Sequence, residues 1–281
     1  MLDRDPGHLR FFRRTGDRRR RRFRRGVSLL PSLFTMGNMF CGYACIVYAM
    51  RGEYETAAPF IGFSIVLDML DGRIARLTGT TSDFGVEFDS LADVISFGLA
   101  PAILSFAWGL SPLGRLGWAA GFLFVTAAAM RLARFNIQSA AGADKRYFVG
   151  MPSTAAAAVP AATVFSYPEG LHDFRAALPA LAMVLVPALL MVSTIRFRSF
   201  KTIDLQVRRP YTVLLLIAGG IMLIWTHPRL VLVALAYSYL MSAFAGMVVT
   251  RWRRRGGRGA AEAVHARESA DDSPAQNAGM P

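Results

Sequence analysis

The chain predicts an all-α, polytopic helical membrane protein of about eight transmembrane helices, and three observations predict it. Of its 281 residues 53% are hydrophobic, and the mean hydropathy is +0.35. The apolar residues come in runs of about twenty, the length that crosses ~30 Å of hydrocarbon, and not at the amphipathic spacing of a soluble domain. Arg and Lys, which give the chain a formal charge of +13, collect in alternate connections. That distribution is what a membrane protein shows when its basic loops stay on one side.

The elements follow in order. The head runs from Arg10 to Arg25 with Phe11, Phe12 and Phe23 among its arginines. Alone it would suit nucleic acid. Directly before a first span, the 1–28 segment reads instead as lying on anionic membrane lipid, where each basic residue contributes about 1 kcal/mol. No nucleic-acid partner is expected. The first apolar run, 29–50, is too long for a signal peptide and no small-residue cleavage site closes it.

That run ends at Arg51, and the second, 56–77, returns to the basic side. The third, 84–109, and fourth, 114–136, enclose Arg115 and lead to Arg131, Arg134, Lys145 and Arg146. The fifth, 152–168, and sixth, 175–195, leave Arg175 on the far side and return to Arg196, Arg198, Lys201, Arg208 and Arg209. The seventh, 210–226, and eighth, 229–250, place Arg229 outside and end at the basic run 251–255. An even number of spans with both termini cytoplasmic satisfies every loop. The expected organisation is a basic segment at 1–28, a transmembrane core at 29–200, an added C-terminal hairpin at 201–250 and a disordered tail at 251–281.

Four carboxylates interrupt the apolar runs. Asp68 and Asp71 are three residues apart near the end of the second span, and Asp89 and Asp93 are four apart near the start of the third. Each pair projects from one face of its helix. The short link between the spans makes the two helices antiparallel neighbours, so the acidic faces converge on the cytoplasmic side. Each Asp costs roughly 2.5–3.5 kcal/mol inside the bilayer, so the cluster needs neutralising. Two hard divalent cations suit it, the arrangement that clamps attacking and leaving oxygens in phosphoryl transfer.

Further residues share that face. Gly72 lies four past Asp68 and Gly85 four before Asp89, leaving room for a ligand, and Ala75 extends the small surface. Arg76 offers a planar cation to a phosphate, and Thr80, Thr81 and Ser82 supply hydroxyls on the link. Asp83 reads as a cap of the third helix. Cys41 and Cys45 sit a helical turn apart and read as packing residues. His8, His172, His227 and His265 have no partner at triad spacing, and no His-x-Lys pair of a phospholipase-D-like enzyme occurs. A cation transporter would spread its polar groups through the whole depth, often in inverted repeats. Here they gather at one end of two helices.

The string Asp68-x-x-Asp71-Gly72-x-x-Ala75-Arg76, eight residues, Gly85-x-x-x-Asp89-x-x-x-Asp93 resembles the signature of the CDP-alcohol phosphatidyltransferase family at every fixed position. The resemblance implies a catalytic core in the first six helices and two Mg²⁺ or Mn²⁺ ions held by Asp68, Asp71, Asp89 and Asp93. It makes Asp93 also the base that takes the alcohol proton. Gly72, Ala75, Arg76, Ser82 and Gly85 would face the CDP-lipid. Segments 31–42, 131–136 and 148–157 look like those of a bacterial branch that uses CDP-diacylglycerol and L-serine, which implies phosphatidylserine and CMP as products. Arg131, Arg134, Asn136 and Asn38 are the acceptor-pocket candidates, since a guanidinium fork matches the carboxylate of serine. Glycerol 3-phosphate, inositol phosphate or choline are the acceptors of sister activities. The family further implies a homodimer in the bacterial inner membrane.

Overall fold

The structure is a computed structural model, and it describes residues 29–79, 82–140, 147–193, 196–198 and 210–242. The basic segment 1–28, Thr80, Thr81, Lys145, Arg146, Lys201, Arg208, Arg209 and the tail 251–281 lie outside the described residues.

Helices α1 (Leu29–Met50) and α2 (Tyr54–Thr78) form a hairpin. Its turn needs the left-handed φ of 78° that Gly52 adopts, and the Glu53 N–H reaches back to the Tyr48 carbonyl at 3.0 Å. Gly79, with φ 62°, ends α2 by donating its N–H to the Ala75 carbonyl. The chain then turns back, and Ser82 starts α3 (Asp83–Asp93) by accepting the Gly85 N–H on its hydroxyl at 3.0 Å.

The helical path continues beyond Asp93 through a π turn at Val94–Leu99, α4 (Ala100–Ser105), a second π turn at Phe106–Leu110 and a 3₁₀ turn at Ser111–Leu113. In the first π turn the Ala100 N–H bonds the Ile95 carbonyl, five residues back. Pro101, which follows, has no N–H with which to continue an α pattern, and the widened turn absorbs that break.

Helices α5 (Arg115–Ala140), α6 (Ser153–Ser166), α7 (Phe174–Val192), α8 (Pro210–Thr226) and α9 (Pro228–Ser242) complete the bundle. Strands β1 (Tyr147–Val149) and β2 (Arg196–Arg198) pair antiparallel, a short ribbon added to the expected all-helical architecture. Beside it Gly150, at φ 87°, passes so close to α7 that a Cβ there would lie 2.4 Å from the Met191 carbonyl oxygen.

All eight expected runs contain helix, yet four helices among the described residues are long and apolar enough to span a membrane alone: Ser32–Met50, Asp83–Leu113, Arg115–Gln138 and Phe174–Val192. A fifth is added if Ala218–Thr226 and Pro228–Ser242, which meet at 118°, count as one. α2 does not qualify because Asp68, Asp71, Arg73 and Arg76 sit in it, and α6 has only 14 residues. The polytopic class stands on these helices; the count of eight does not follow from length and composition.

Phe97, Leu104, Phe124, Val159, Val184 and Met191 form part of the core. Cys41 and Cys45 are both buried and unbridged. Small residues let the helices touch: a Cβ on Gly42 would lie 2.8 Å from the Ser96 Cα. One end of the bundle is tied by Tyr54 donating to the Ala107 carbonyl at 2.7 Å and Trp108 donating to the Tyr167 carbonyl at 2.7 Å. Ser166 donates there to the Arg229 carbonyl at 3.0 Å, and Arg229 pairs with Glu55 at 2.5 Å. The carboxylates lie toward the other end.

Candidate active site

Helix lengths set the site. Asp68 stands ten residues before the end of α2, and Asp93 ten residues after the start of α3. At 1.5 Å per residue both lie about 15 Å from the link, so antiparallel packing brings them to one depth. One carboxylate oxygen from each of Asp68, Asp89 and Asp93 falls within 4.8 Å of the others. Asp71 sits one turn along α2, is 6% exposed, and accepts a hydrogen bond from the Thr35 hydroxyl of α1. It is not part of that closest group.

Asp93 is held from α1. The Asn38 side-chain N–H donates to Asp93 Oδ1 at 3.1 Å, and both residues are buried. Asn38 itself is braced through its backbone carbonyl, which accepts from Ser96 at 2.9 Å and Ser64 at 3.1 Å. Thus three helices fix the orientation of one carboxylate.

Like charges at about 4 Å repel by about 4 kcal/mol at an effective dielectric of about 20. Arg131 of α5 lies in electrostatic reach of Asp93 and Asp68 and offsets part of this. It also donates to the Ser153 hydroxyl on α6 at 2.8 Å. Among the described residues, Asp89 Oδ1 and Asn38 Oδ1 are buried without a hydrogen-bond partner. Orphaned oxygens beside converging carboxylates fit a hard cation, which takes oxygen ligands. The donor set therefore suits a divalent metal.

The remaining expected residues divide. Gly72 lies beneath the Arg76 guanidinium, whose atoms would be 3.6–3.9 Å from a Cβ placed there. Packing alone does not demand glycine at that position. Arg76 and Ser82 are exposed, while Ala75 and Gly85 are half-buried. Ser82 and Gly85 are bonded to each other as the α3 cap. On α5, Asn136 donates to the Ser90 hydroxyl at 2.9 Å, joining α5 to α3, and Arg134 is half-buried one turn from Arg131.

Sequence reasoning missed Thr35, Ser64, Ser96, Ser90 and Ser153 as supports of the site. A signal existed for three of them. Thr35 precedes Asn38 by three, Ser64 precedes Asp68 by four and Ser96 follows Asp93 by three, so each shares a helix face with a polar residue already noted.

Comparison with known proteins identifies the family. The family model for CDP-alcohol phosphatidyltransferase matches residues 28–195. A CDP-diacylglycerol–serine O-phosphatidyltransferase of Helicobacter pylori is 42% identical over 180 residues, covering 62% of this chain and 74% of that protein. One from Bacillus subtilis is 31% identical over 175 residues, covering 62% of this chain and 93% of its own. An archaetidylserine synthase of Methanothermobacter thermautotrophicus is 34% identical over 170 residues, 60% of this chain and 69% of that one. The matched segment contains the whole carboxylate cluster, Asn38 and Arg131, and by that match the chain belongs to the CDP-alcohol phosphatidyltransferase family.

Proposed function

We infer that the protein transfers the phosphatidyl group of CDP-diacylglycerol to the hydroxyl of L-serine, giving phosphatidylserine and CMP. The observation that carries this reading is the meeting of Asp68, Asp89 and Asp93 within 4.8 Å on two antiparallel helices. The relatives named for transfer to serine support the choice of donor and acceptor.

The serine oxygen attacks the phosphorus bonded to diacylglycerol, the bond from that phosphorus to the CMP oxygen breaks, and the hydroxyl proton passes to Asp93. Asn38 keeps the Asp93 carboxylate aimed, with one oxygen tied and the other open to the acceptor. Arg131 presents a guanidinium near Asp93, and it has more donors than its bond to Ser153 uses. Hydroxyl and carboxylate of serine are only a few bonds apart, so their binding groups must be neighbours. Arg134 and Asn136 extend this acceptor wall. Gly72, Ala75, Arg76, Ser82 and Gly85 line the side assigned to the cytidine diphosphate. Asp68, Asp71, Asp89 and Asp93 would hold two Mg²⁺ or Mn²⁺ ions, which when bound polarise phosphoryl oxygens and neutralise the leaving CMP.

The same reading places the site and both termini on the cytoplasmic face of a bacterial inner membrane. The basic connections in the sequence support that orientation. It also carries over the family's homodimer and the contact of the 1–28 segment with anionic lipid. The test is product analysis with purified protein, donor, metal and one acceptor at a time. Phosphatidylserine formed from L-serine, with none of the corresponding products from glycerol 3-phosphate, inositol phosphate or choline, supports the reading. A product from another alcohol alone contradicts the choice of serine.

A further inference from the structure

Arg131 is a donor-only side chain set beside carboxylates. Its guanidinium carries N–H groups and no acceptor. One of them donates to the Ser153 hydroxyl at 2.8 Å, and Asp93, Tyr239 and Asp68 lie within its electrostatic reach. Attraction to Asp93 and Asp68 alone would draw the planar fork onto them, and a fork spent there is lost to an incoming carboxylate.

Tyr239 reaches Arg131 from α9, which lies beyond the segment that matches the family model. That helix is tied to α6 twice. Ser166 donates to the Arg229 carbonyl at 3.0 Å, and Thr163 and Tyr237 share a hydrogen bond at 3.1 Å. As the numbers rise along α9 they fall along α6, so α9 runs toward the end that carries Ser153. Ala236 and Leu240 are buried, and Tyr239, half-buried beside Leu240, packs against the same core. It lines an apolar cavity with Ala155 and Ala158 of α6 and Ile65 and Val66 of α2. Among the described residues lining that cavity, Tyr239 alone carries a polar side-chain atom. A phenol hydroxyl in such a wall calls for a polar partner, and its oxygen can accept what a guanidinium donates.

We propose that Tyr239 is a positioning residue for the acceptor: its hydroxyl accepts from the Arg131 guanidinium and, together with Ser153, keeps the fork turned toward the serine carboxylate and off Asp93 and Asp68. The inference rests on the transferase reading above. It gives the C-terminal hairpin a part in the acceptor pocket, although the carboxylate cluster lies wholly within the family-matched segment.

The test is steady-state kinetics of the full chain in micelles, with CDP-diacylglycerol, L-serine and Mg²⁺ or Mn²⁺. Tyr239→Phe keeps the ring and removes the hydroxyl. It should raise the KM for L-serine about ten-fold, the worth of one hydrogen bond to a charged group, and leave the KM for the donor near the wild-type value. Tyr237→Phe removes the Thr163 bond from the same helix and should leave the KM for serine unchanged. In an Arg131→Lys background, where the fork is already gone, Tyr239→Phe should add less than about two-fold. A wild-type KM for serine in Tyr239→Phe overturns the inference and leaves the transferase reading intact. An equal rise for both substrates, the same rise in Tyr237→Phe, or full additivity with Arg131→Lys reduces Tyr239 to packing and overturns it too. A wild type that forms no phosphatidylserine from L-serine removes both readings together.

Discussion

Asn38 donates its side-chain N–H to Oδ1 of Asp93 at 3.1 Å, across 55 residues of sequence and between two different helices. Both groups are buried, and the Asn38 backbone carbonyl is itself fixed by Ser64 and Ser96. The aim of the proposed base is therefore decided by α1, a helix that contributes no carboxylate to the cluster. Losing a buried hydrogen bond of this kind costs roughly 1–3 kcal/mol. Asn38→Ala is expected to lower kcat about ten- to hundred-fold while donor affinity changes little. Steady-state kinetics with a separate donor-binding measurement check this.

Metal dependence follows from charge. Asp68, Asp89 and Asp93 meet within 4.8 Å and Asp89 Oδ1 has no hydrogen-bond partner among the described residues. Chelation is expected to abolish CMP release, and Mg²⁺ or Mn²⁺ to restore it. Because a cation relieves repulsion only in the folded state, metal should also raise the melting temperature. Asp89→Asn should shrink that metal-induced rise. Thermal melts with and without metal provide the readout.

Two glycines are expected to behave in opposite ways. Gly150 has φ 87°, and a Cβ there would approach the Met191 carbonyl oxygen to 2.4 Å. Gly150→Ala should destabilise the fold by about 1–3 kcal/mol or more. Gly72→Ala meets only the Arg76 guanidinium at ordinary contact distance, so the protein should fold as well as the wild type or slightly better. Its loss should appear as weaker donor binding. Chemical denaturation in micelles and donor titration separate the two effects.

Arg131 is expected to act on the acceptor. Arg131→Lys keeps a positive charge near Asp93 but loses the planar fork that matches a carboxylate. The KM for L-serine should rise about ten-fold or more, the worth of one charge-assisted hydrogen bond, while the KM for the donor stays near the wild-type value. An equal rise for both substrates would make Arg131 a support of the bundle through Ser153.

Much of the site was legible because its chemistry repeats at helical spacing. Asp68 with Asp71, and Asp89 with Asp93, lie on shared faces in apolar runs, and the short link forces those faces together. The hydroxyls that brace these groups were harder to read. Thr35, Ser64 and Ser96 are ordinary in transmembrane helices, and only the packing of α1 against α2 and the π turn shows that they converge on Asp71 and Asn38. The first π turn adjoins Pro101, whose missing N–H hydropathy does not register. The expected count of eight rests on apolar runs alone; among the described residues α2, which carries Asp68, Asp71, Arg73 and Arg76, does not qualify as a span by length and composition. Asn38, an acceptor-pocket candidate from the sequence, also donates to Asp93, a contact across 55 residues that spacing alone does not reveal.

The central claim is that Asp93, within the Asp68–Asp89–Asp93 cluster, activates serine for attack on the CDP-lipid. Its most direct test is CMP release from CDP-diacylglycerol by wild type and Asp93→Asn, with and without L-serine and divalent metal. The account predicts release that needs both serine and metal, falling about 10²–10⁴-fold in Asp93→Asn while that variant still binds the donor. Wild-type release by Asp93→Asn, or release indifferent to serine, would contradict it.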